Sequence, residues 1–216
     1  MKTAVRLFGL LIVAGLCLAP RVSADPAKIA DPAQAILGPM DEVVAILADP
    51  AYKGDDPALK TGQRQALRKA IDDVFDFTEI SKRALARNWR ILTLEERRKF
   101  RDLFAELLGN TYLSKIQDSY SGEQVVITGV NRVTDEMAVV STGIRLEKGQ
   151  MLPIDYSVYM SGGAWKIYDV NVEGVSLVKN YRSQFNDIMM RGNAQDLIKK
   201  LESTVERQRA GEKDAS

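Results

Sequence analysis

Apolar residues recur every three or four positions through the first half of the chain, and this spacing predicts helices. The clearest case is 93–120, where Thr93 and Glu96 have the spacing of a capping box and apolar residues follow at helical intervals. Asp-Pro pairs at Asp31-Pro32 and Asp56-Pro57 are typical of helix starts. The same spacing predicts three further helices, over 32–48, 57–75 and 78–89.

From Ser121-Gly122 onward the period changes to two, which predicts strands over 124–131, 136–147, 151–161 and 164–173. The turns between them are short, so neighbouring strands must be antiparallel. Gly129 and Gly143 lie inside strands, which predicts bulges or bends and therefore a curved sheet.

The third and fourth strands differ in how cleanly their residues alternate. In the third strand, five apolar residues share one face: Leu152, Ile154, Tyr156, Val158 and Met160. In the fourth, strict alternation places Lys166 and Tyr168 with Val170 and Val172 on one face. The same alternation places Trp165 and Ile167 on the face that ends in Asp169, Asn171 and Glu173.

An extended piece over 175–178 precedes two more predicted helices, over 181–191 and 193–208. A run of helices followed by an antiparallel meander is the pattern of an α+β fold, here with a curved four-stranded sheet. We expect a single domain over 25–210 followed by a frayed tail over 211–216. Within that domain the predicted parts are helices over 32–120, a sheet over 123–174 and C-terminal helices over 180–208.

The first 24 residues have the features of a secretory signal peptide. Lys2 and Arg6 precede an apolar run that is too short to span a bilayer, and Val22-Ser23-Ala24 predicts cleavage before Asp25. A lipoprotein modified at Cys17 and a short membrane anchor are the alternatives, although Leu16 does not suit lipidation. The expected location is a bacterial periplasm.

Composition excludes several kinds of function. The chain of 216 residues has no His and a single Cys, which removes His-dependent catalytic triads and most metal sites. A net charge of +1 with both signs interspersed argues against nucleic-acid binding. Asp169 and Glu173 share a strand face, but no nucleophile or base stands beside them, so a structural or mouth-lining role is favoured. We therefore expect no enzyme, metal or cofactor.

Two features keep alternatives open. The basic residues Lys82, Arg83, Arg87 and Arg90 form either a solvated helix face or a surface for an anionic headgroup or an acidic partner. The apolar faces of the helices and the sheet either fill a solid core or, if a bent sheet and long helices fail to meet, enclose a cavity.

Two stretches resemble a known family. They are FDFTEISKRALARNWR with the following LTLEERRKFRDLFAELLGNTYL, over 75–113, and WKIYDVNVEGVSLVKNYRSQF, over 165–185. Together with the signal peptide and the pattern at 197–201, they resemble the MlaC family of periplasmic phospholipid-binding proteins, the toluene-tolerance auxiliary components of ABC transporters. The segment YDV-x-x-EGVSLV, over 168–178, is the most specific part of the resemblance.

The resemblance implies a curved antiparallel sheet of the cystatin-like or nuclear-transport-factor-like cone type, wrapped by helices around an apolar cavity for phospholipid acyl chains. It implies a soluble, non-enzymatic carrier that shuttles phospholipid between an outer-membrane lipoprotein complex and an inner-membrane ABC transporter complex, which maintains outer-membrane lipid asymmetry. It also places Val175 against lipid. The alternatives are a filled-core adaptor of the transporter and, less favoured, a hydrolase that uses carboxylates.

Combining this implied cavity with the predicted faces gives a set of ligand-binding residues. A strand register that slips by one residue would misplace some of them. The set consists of Leu85, Trp89, Phe104, Leu108, Tyr112, Val140, Tyr156, Val158, Trp165, Tyr168 and Val175.

Overall fold

The computed structural model describes residues 31–54, 56–146 and 149–211. The predicted signal peptide, its cleavage site before Asp25 and the tail beyond residue 211 lie outside the described residues.

Six α-helices are present in the described residues, and most begin where the sequence predicts. Asp31 and Asp56 each accept a hydrogen bond from the amide two residues later, and Thr93 and Glu96 complete the predicted capping box. The helices are α1 Pro32–Ala48, α2 Pro57–Asp72, α3 Phe77–Leu85, α4 Leu94–Ser119, α5 Leu177–Arg191 and α6 Ala194–Arg209.

Two helix boundaries differ from the prediction. The helix expected over 78–89 ends at Leu85, because Ala86 adopts a φ of 47° and the chain continues as a 3₁₀ segment, Ala86–Ile91. The helix expected from residue 181 begins at Leu177 instead, because the Ser176 side chain accepts a hydrogen bond from the Lys179 amide and caps it there.

The sheet is an antiparallel meander in the order β1-β2-β3-β4-β5, which confirms the predicted α+β class. Its strands are β1 Gln124–Thr134, β2 Met137–Arg145, β3 Met151–Ser161, β4 Ala164–Val172 and β5 Val175–Ser176. The prediction of four strands was one short. Glu173 and Gly174 both have positive φ, 51° and 85°, and this tight turn folds the EGVS segment back onto β4 as a fifth strand.

A bulge in β4 explains its untidy alternation. Ser157 pairs with Asp169, but the next residue, Val158, pairs with Ile167, so Tyr168 is the extra residue between them. Trp165 and Ile167 therefore share a face with Val170 and Val172, and the predicted faces of this strand were wrong for its first half.

The two strand glycines also have different roles. A register shift lies between Ile127 and Gly129, which confirms the predicted bulge there. At Gly143 the pairing is continuous with both neighbouring strands, so no bulge exists. A Cβ at Gly143 would collide with the end of the Met151 side chain, and this close approach accounts for the glycine.

Buried apolar residues form two clusters. The helical cluster joins α3, α4, α5 and α6 around Phe100, Phe104 and Phe185, whose ring centroids lie 5.0–5.6 Å apart. The sheet cluster joins the β2–β4 region to Ile36 of α1 and Val74. The long helix α4 thus buries its apolar stripe against other helices, mainly α6, rather than against the sheet.

Candidate functional site

One face of the sheet, the front face, is apolar apart from Thr142 and from Arg132 on the edge strand β1. Directly paired residues lie on the same face, so the register builds rows across the strands. In order along the strands these rows are Met160-Trp165, then Arg132-Ala138-Val158-Ile167, then Val130-Val140-Tyr156-Val170, then Ile127-Thr142-Ile154-Val172-Val175, and then Val125-Ile144-Leu152. The predicted lipid contact Val175 therefore stands in line with the buried residue Ile154.

The front face is sealed at one end and open at the other. Val158 and Ile167 have no exposed surface, and Trp165 is 4% exposed. In the row that contains Ile154, Val172 is 39% and Val175 is 62% exposed. An apolar surface that continues from a core to solvent without a polar border is what a binding site for hydrocarbon requires.

Helix α1 covers the front face only in part. Its residues Ala33 and Ile36 are buried and belong to the covered region. Six apolar residues further along the helix are only half-buried: Leu37, Met40, Val43, Val44, Ile46 and Leu47. The helix thus carries more apolar surface than the sheet and its neighbours bury.

Polar atoms on the front face are satisfied locally. The Thr142 hydroxyl donates to the Ile154 carbonyl at 3.0 Å. The Tyr156 hydroxyl lies 3.5 Å from the Met40 sulfur, and burial raises the pKa of Tyr156 to about 12. Tyr156 therefore stays uncharged near neutral pH. The charged residue of the front-face rows is Arg132 on the edge strand β1, whose guanidinium lies 5.8 Å from the centroid of the Trp165 ring. The rest of the face suits apolar binding rather than proton transfer.

The opposite, rear face is polar. It borders α5 across a cavity of about 370 Å³, lined by Arg83, Val139, Asp155, Ser157, Tyr168, Asp169, Asn171, Ser176, Val178, Lys179 and Arg182. Asp169 accepts hydrogen bonds from the Ser176 hydroxyl at 2.5 Å and the Val178 amide at 3.0 Å, which ties β4 to the start of α5. The Asp169 carboxylate thus has the structural role expected for it.

Tyrosines on the rear face have ionic partners. The Arg83 guanidinium stacks over the Tyr168 ring at 3.8 Å, and Tyr168 meets Tyr159 edge to face. The Tyr159 hydroxyl donates to Asp76, and burial together with this carboxylate raises the pKa of Tyr159.

The structure distributes the eleven predicted site residues among four places. The front face has five of them, Val140, Tyr156, Val158, Trp165 and Val175. The helical cluster takes Leu85, Trp89, Phe104 and Leu108. Tyr112 is 38% exposed on α4, and the β4 bulge turns Tyr168 to the rear face. Contact with a ligand stays a prediction for all eleven.

Sequence reasoning missed several residues that complete the front face. Ile167 and Val170 were hidden by the bulge, because strict alternation assigns them to opposite faces. The apolar residues of α1, including Ile36 and Met40, were recognised as helical but not as part of this surface. Much of α1 has apolar residues on all sides, which indicates that the helix is covered on more than one face. This pattern could have identified these residues from the sequence.

Neither of two cavities found in the described residues is the one that the resemblance implies. Besides the rear cavity, one of about 240 Å³ is lined by Ser121, Gly122, Glu123, Gln124, Arg145 and Leu146. Neither is lined mainly by apolar side chains, so the enclosed apolar cavity stays a prediction. Within the described ranges, no group of acidic residues could hold a metal ion.

Comparison with known proteins identifies relatives of this chain. A curated relative, the toluene tolerance protein ttg2D of Pseudomonas putida, is 28% identical over 138 residues. That match spans 63% of this chain and 63% of the relative's own length. Among solved structures, a phospholipid-binding protein from Ralstonia solanacearum in complex with a phospholipid matches with a TM-score of 0.73 and 26% identity. This structural match covers 83% of this chain and 99% of the other.

The family match agrees with the resemblance found in the sequence. Among the residues that the structure describes, no helix is long and apolar enough to cross a bilayer. The profile of the MlaC protein family matches residues 39–203, which include the front face and all but the first turns of α1. The chain therefore belongs to the MlaC family.

Proposed function

We propose that this protein is a soluble periplasmic phospholipid carrier. The acyl chains of the bound phospholipid occupy the space between α1 and the open end of the front face. The observation that carries the proposal is the row that runs from the buried Ile154 to the exposed Val172 and Val175, all three of them apolar. The half-buried apolar residues of α1 supply the opposite wall. The Ralstonia relative, which is described in complex with a phospholipid, supports this choice of ligand.

Hydrocarbon burial sets the energy scale of the proposed binding. Two acyl chains contribute roughly 24 kcal/mol gross at ~0.8 kcal/mol per methylene, close to what a bilayer offers the same chains. A protein cleft of this kind can therefore exchange lipid with a membrane at modest net cost. Spontaneous release into water is prohibitively slow, so release requires a partner that opens the cleft or extends it.

The proposed carrier shuttles phospholipid between an outer-membrane lipoprotein complex and an inner-membrane ABC transporter complex, and so maintains outer-membrane lipid asymmetry. Membership of the MlaC family and the similarity to the ttg2D protein support this role. In this proposal the carrier itself uses no nucleotide. ATP hydrolysis belongs to the transporter.

Native mass spectrometry of the exported protein tests the proposal. The carrier yields a complex heavier than the mature chain by one phospholipid, and solvent extraction recovers intact phospholipid in stoichiometric amount. Protein that carries no lipid would support the adaptor alternative and overturn the proposal. Recovery of lyso-phospholipid in place of intact lipid would instead indicate a hydrolase.

A further inference from the structure

A second surface, separate from the front face, combines the most exposed large apolar residues with unpaired cations. Ile91, Leu94 and Met190 are 69%, 68% and 71% exposed, which exceeds every other large apolar residue described. Ile91 on the 3₁₀ segment and Leu94 on α4 are close in the sequence, whereas Met190 is far from both, on α5. The question is whether the fold brings them together.

Ion pairs between α4 and α6 indicate that the fold brings these three residues to one end of the helical layer. Lys99 pairs with Glu202 at 2.6 Å, and Glu106 pairs with Arg209 at 2.6 Å. The paired positions advance in the same direction along both helices, so α4 and α6 run parallel and their N-terminal ends lie at the same end of the helical layer. Ile91 and Leu94 lie at the start of α4, and Met190 precedes α6 by one turn. The 3₁₀ segment also contacts α5.

The same end is rich in arginine. Arg87, Arg90, Arg98 and Arg191 are exposed, and none of them forms an ion pair with another described residue. We call these four arginines and the three apolar residues the end patch.

The carboxylates at this end offset most of the cationic charge, but not all of it. Glu96 and Asp196 are held by backbone amides of the two helix caps, at 2.8 Å and 3.0 Å. Glu95 and Asp187 are the exposed acids nearby. All four acids keep their negative charge, because a hydrogen bond from a neutral amide does not neutralise a carboxylate. With Arg97 of α4 included, five arginines stand against four carboxylates, which leaves a small positive excess. The N-terminal ends of α4 and α6 add positive potential to it, and the C-terminal end of α5 subtracts part of that.

The end patch is held in a fixed shape. The Arg97 side chain donates to the carbonyls of Trp89 at 2.9 Å and Arg90 at 3.2 Å, which pins the 3₁₀ segment to α4. The Trp89 side chain packs against the helical cluster. The exposed apolar side chains are therefore presented by rigid backbone.

We propose that the end patch docks the protein onto an anionic bilayer surface. The three apolar side chains stand on the 3₁₀ segment and at helix ends, each is more than two thirds exposed, and neither of the two cavities described is lined by them. A lipid interface needs no complementary groove and takes up protruding apolar side chains, while phosphate headgroups attract the surrounding arginines. Charge complementarity thus favours a surface rich in phosphatidylglycerol.

Vesicle flotation of the mature protein tests this docking. Wild-type protein is expected to float with vesicles of phosphatidylglycerol and phosphatidylcholine, and not with phosphatidylcholine alone. The triple variant I91S/L94S/M190S should bind at least about tenfold more weakly, because it loses three inserted side chains. Each of Arg90→Ala and Arg98→Ala should lower binding about fivefold. Val133→Ser, 60% exposed on β1, is the matched control and should bind like wild type.

Two measurements separate docking from lipid loading. The triple variant should retain its bound phospholipid by native mass spectrometry, and Val175→Glu should lose the lipid but still float with anionic vesicles. If wild-type protein does not bind anionic vesicles, or the triple variant binds them as well as wild type, the docking proposal is wrong. Binding only to an acidic protein partner, with no vesicle binding, would overturn it in the same way.

Discussion

Val175 pairs directly with Val172 across the Glu173-Gly174 turn, which aligns its side chain with the apolar row that runs back to Ile154. An exposed valine on a two-residue strand is thereby continuous with the buried part of the sheet. Residues at this open end are the ones whose surroundings change most when a hydrocarbon ligand enters.

A charge at this position should eject the lipid without unfolding the protein. In Val175→Glu the carboxylate can reach water in the empty protein because the position is 62% exposed. Against acyl chains it would cost several kcal/mol, on the order of 2–7 kcal/mol for an unpaired polar group. We expect loss of co-purified phospholipid with a nearly unchanged thermal midpoint. Val133→Glu changes a residue that is 60% exposed on β1, at the opposite edge of the sheet from β5, and this variant should keep its lipid. Full lipid occupancy in Val175→Glu would contradict the proposed cleft.

Truncation in the helical cluster should affect stability and leave lipid binding intact. Phe104 has no exposed surface, and its ring meets Tyr181 at 4.9 Å and Phe185 at 5.0 Å. Phe104→Ala should lower the free energy of unfolding by ~3–5 kcal/mol. The lipid content of each folded molecule should stay at the wild-type level, measured by mass spectrometry after removal of unfolded protein. Loss of lipid from the folded fraction would place the cleft at the helical cluster instead.

Alkaline pH should destabilise the protein through Tyr156. Its pKa is raised from the ordinary 10.0 to about 12 by burial, so the unfolded state loses this proton at lower pH than the folded state. The stabilisation is complete below pH 10 and declines as the pH rises from 10 towards 12, by about 2 kcal/mol near pH 11.5. Urea unfolding of wild type and Tyr156→Phe at pH 9 and 11.5 measures this contribution. The variant should lose less stability between the two values, and an equal loss would contradict the assignment.

The link between β4 and α5 should depend on one carboxylate. Asp169 accepts hydrogen bonds from the Ser176 hydroxyl and the Val178 amide. Asp169→Ala leaves this amide and hydroxyl without their acceptor, and should lower the free energy of unfolding by about 1–3 kcal/mol. Asp155→Ala, which also faces the rear cavity, is the control and should cost less, since no side-chain hydrogen bond ties Asp155 to another described residue. Chemical denaturation of both variants decides the comparison.

Local signals in the sequence predicted much of the fold. Helix starts at Asp31, Asp56 and Thr93 depend on side chains that cap their own backbone, so they can be recognised without knowing the rest of the structure. The alternation of β3 was equally clear, because one of its faces is buried along most of its length.

Features that depend on a neighbouring element could not be predicted in this way. The extra residue Tyr168 in β4 is visible only once β3 is placed beside it, and one such residue moves Trp165 and Ile167 to the opposite face. The start of α5 was missed because Val175 and Val178 favour an extended chain, whereas Asp169 and Ser176 bind the helix amides. The division of the core into a helical cluster and a sheet cluster depends on tertiary packing, which the sequence pattern does not show. For this reason the predicted site residues fall partly in one cluster and partly in the other.

Ser176 belongs to two elements at once, since it is the last residue of β5 and the N-cap of α5. No residue lies between β5, which carries Val175, and the cap of α5, so a displacement of the start of this helix is expected to move Val175 as well. The short strand is held by its pairing with Asn171 and Val172 and by the hydrogen bond from Ser176 to Asp169, so a displacement of the start of α5 would strain these few contacts first.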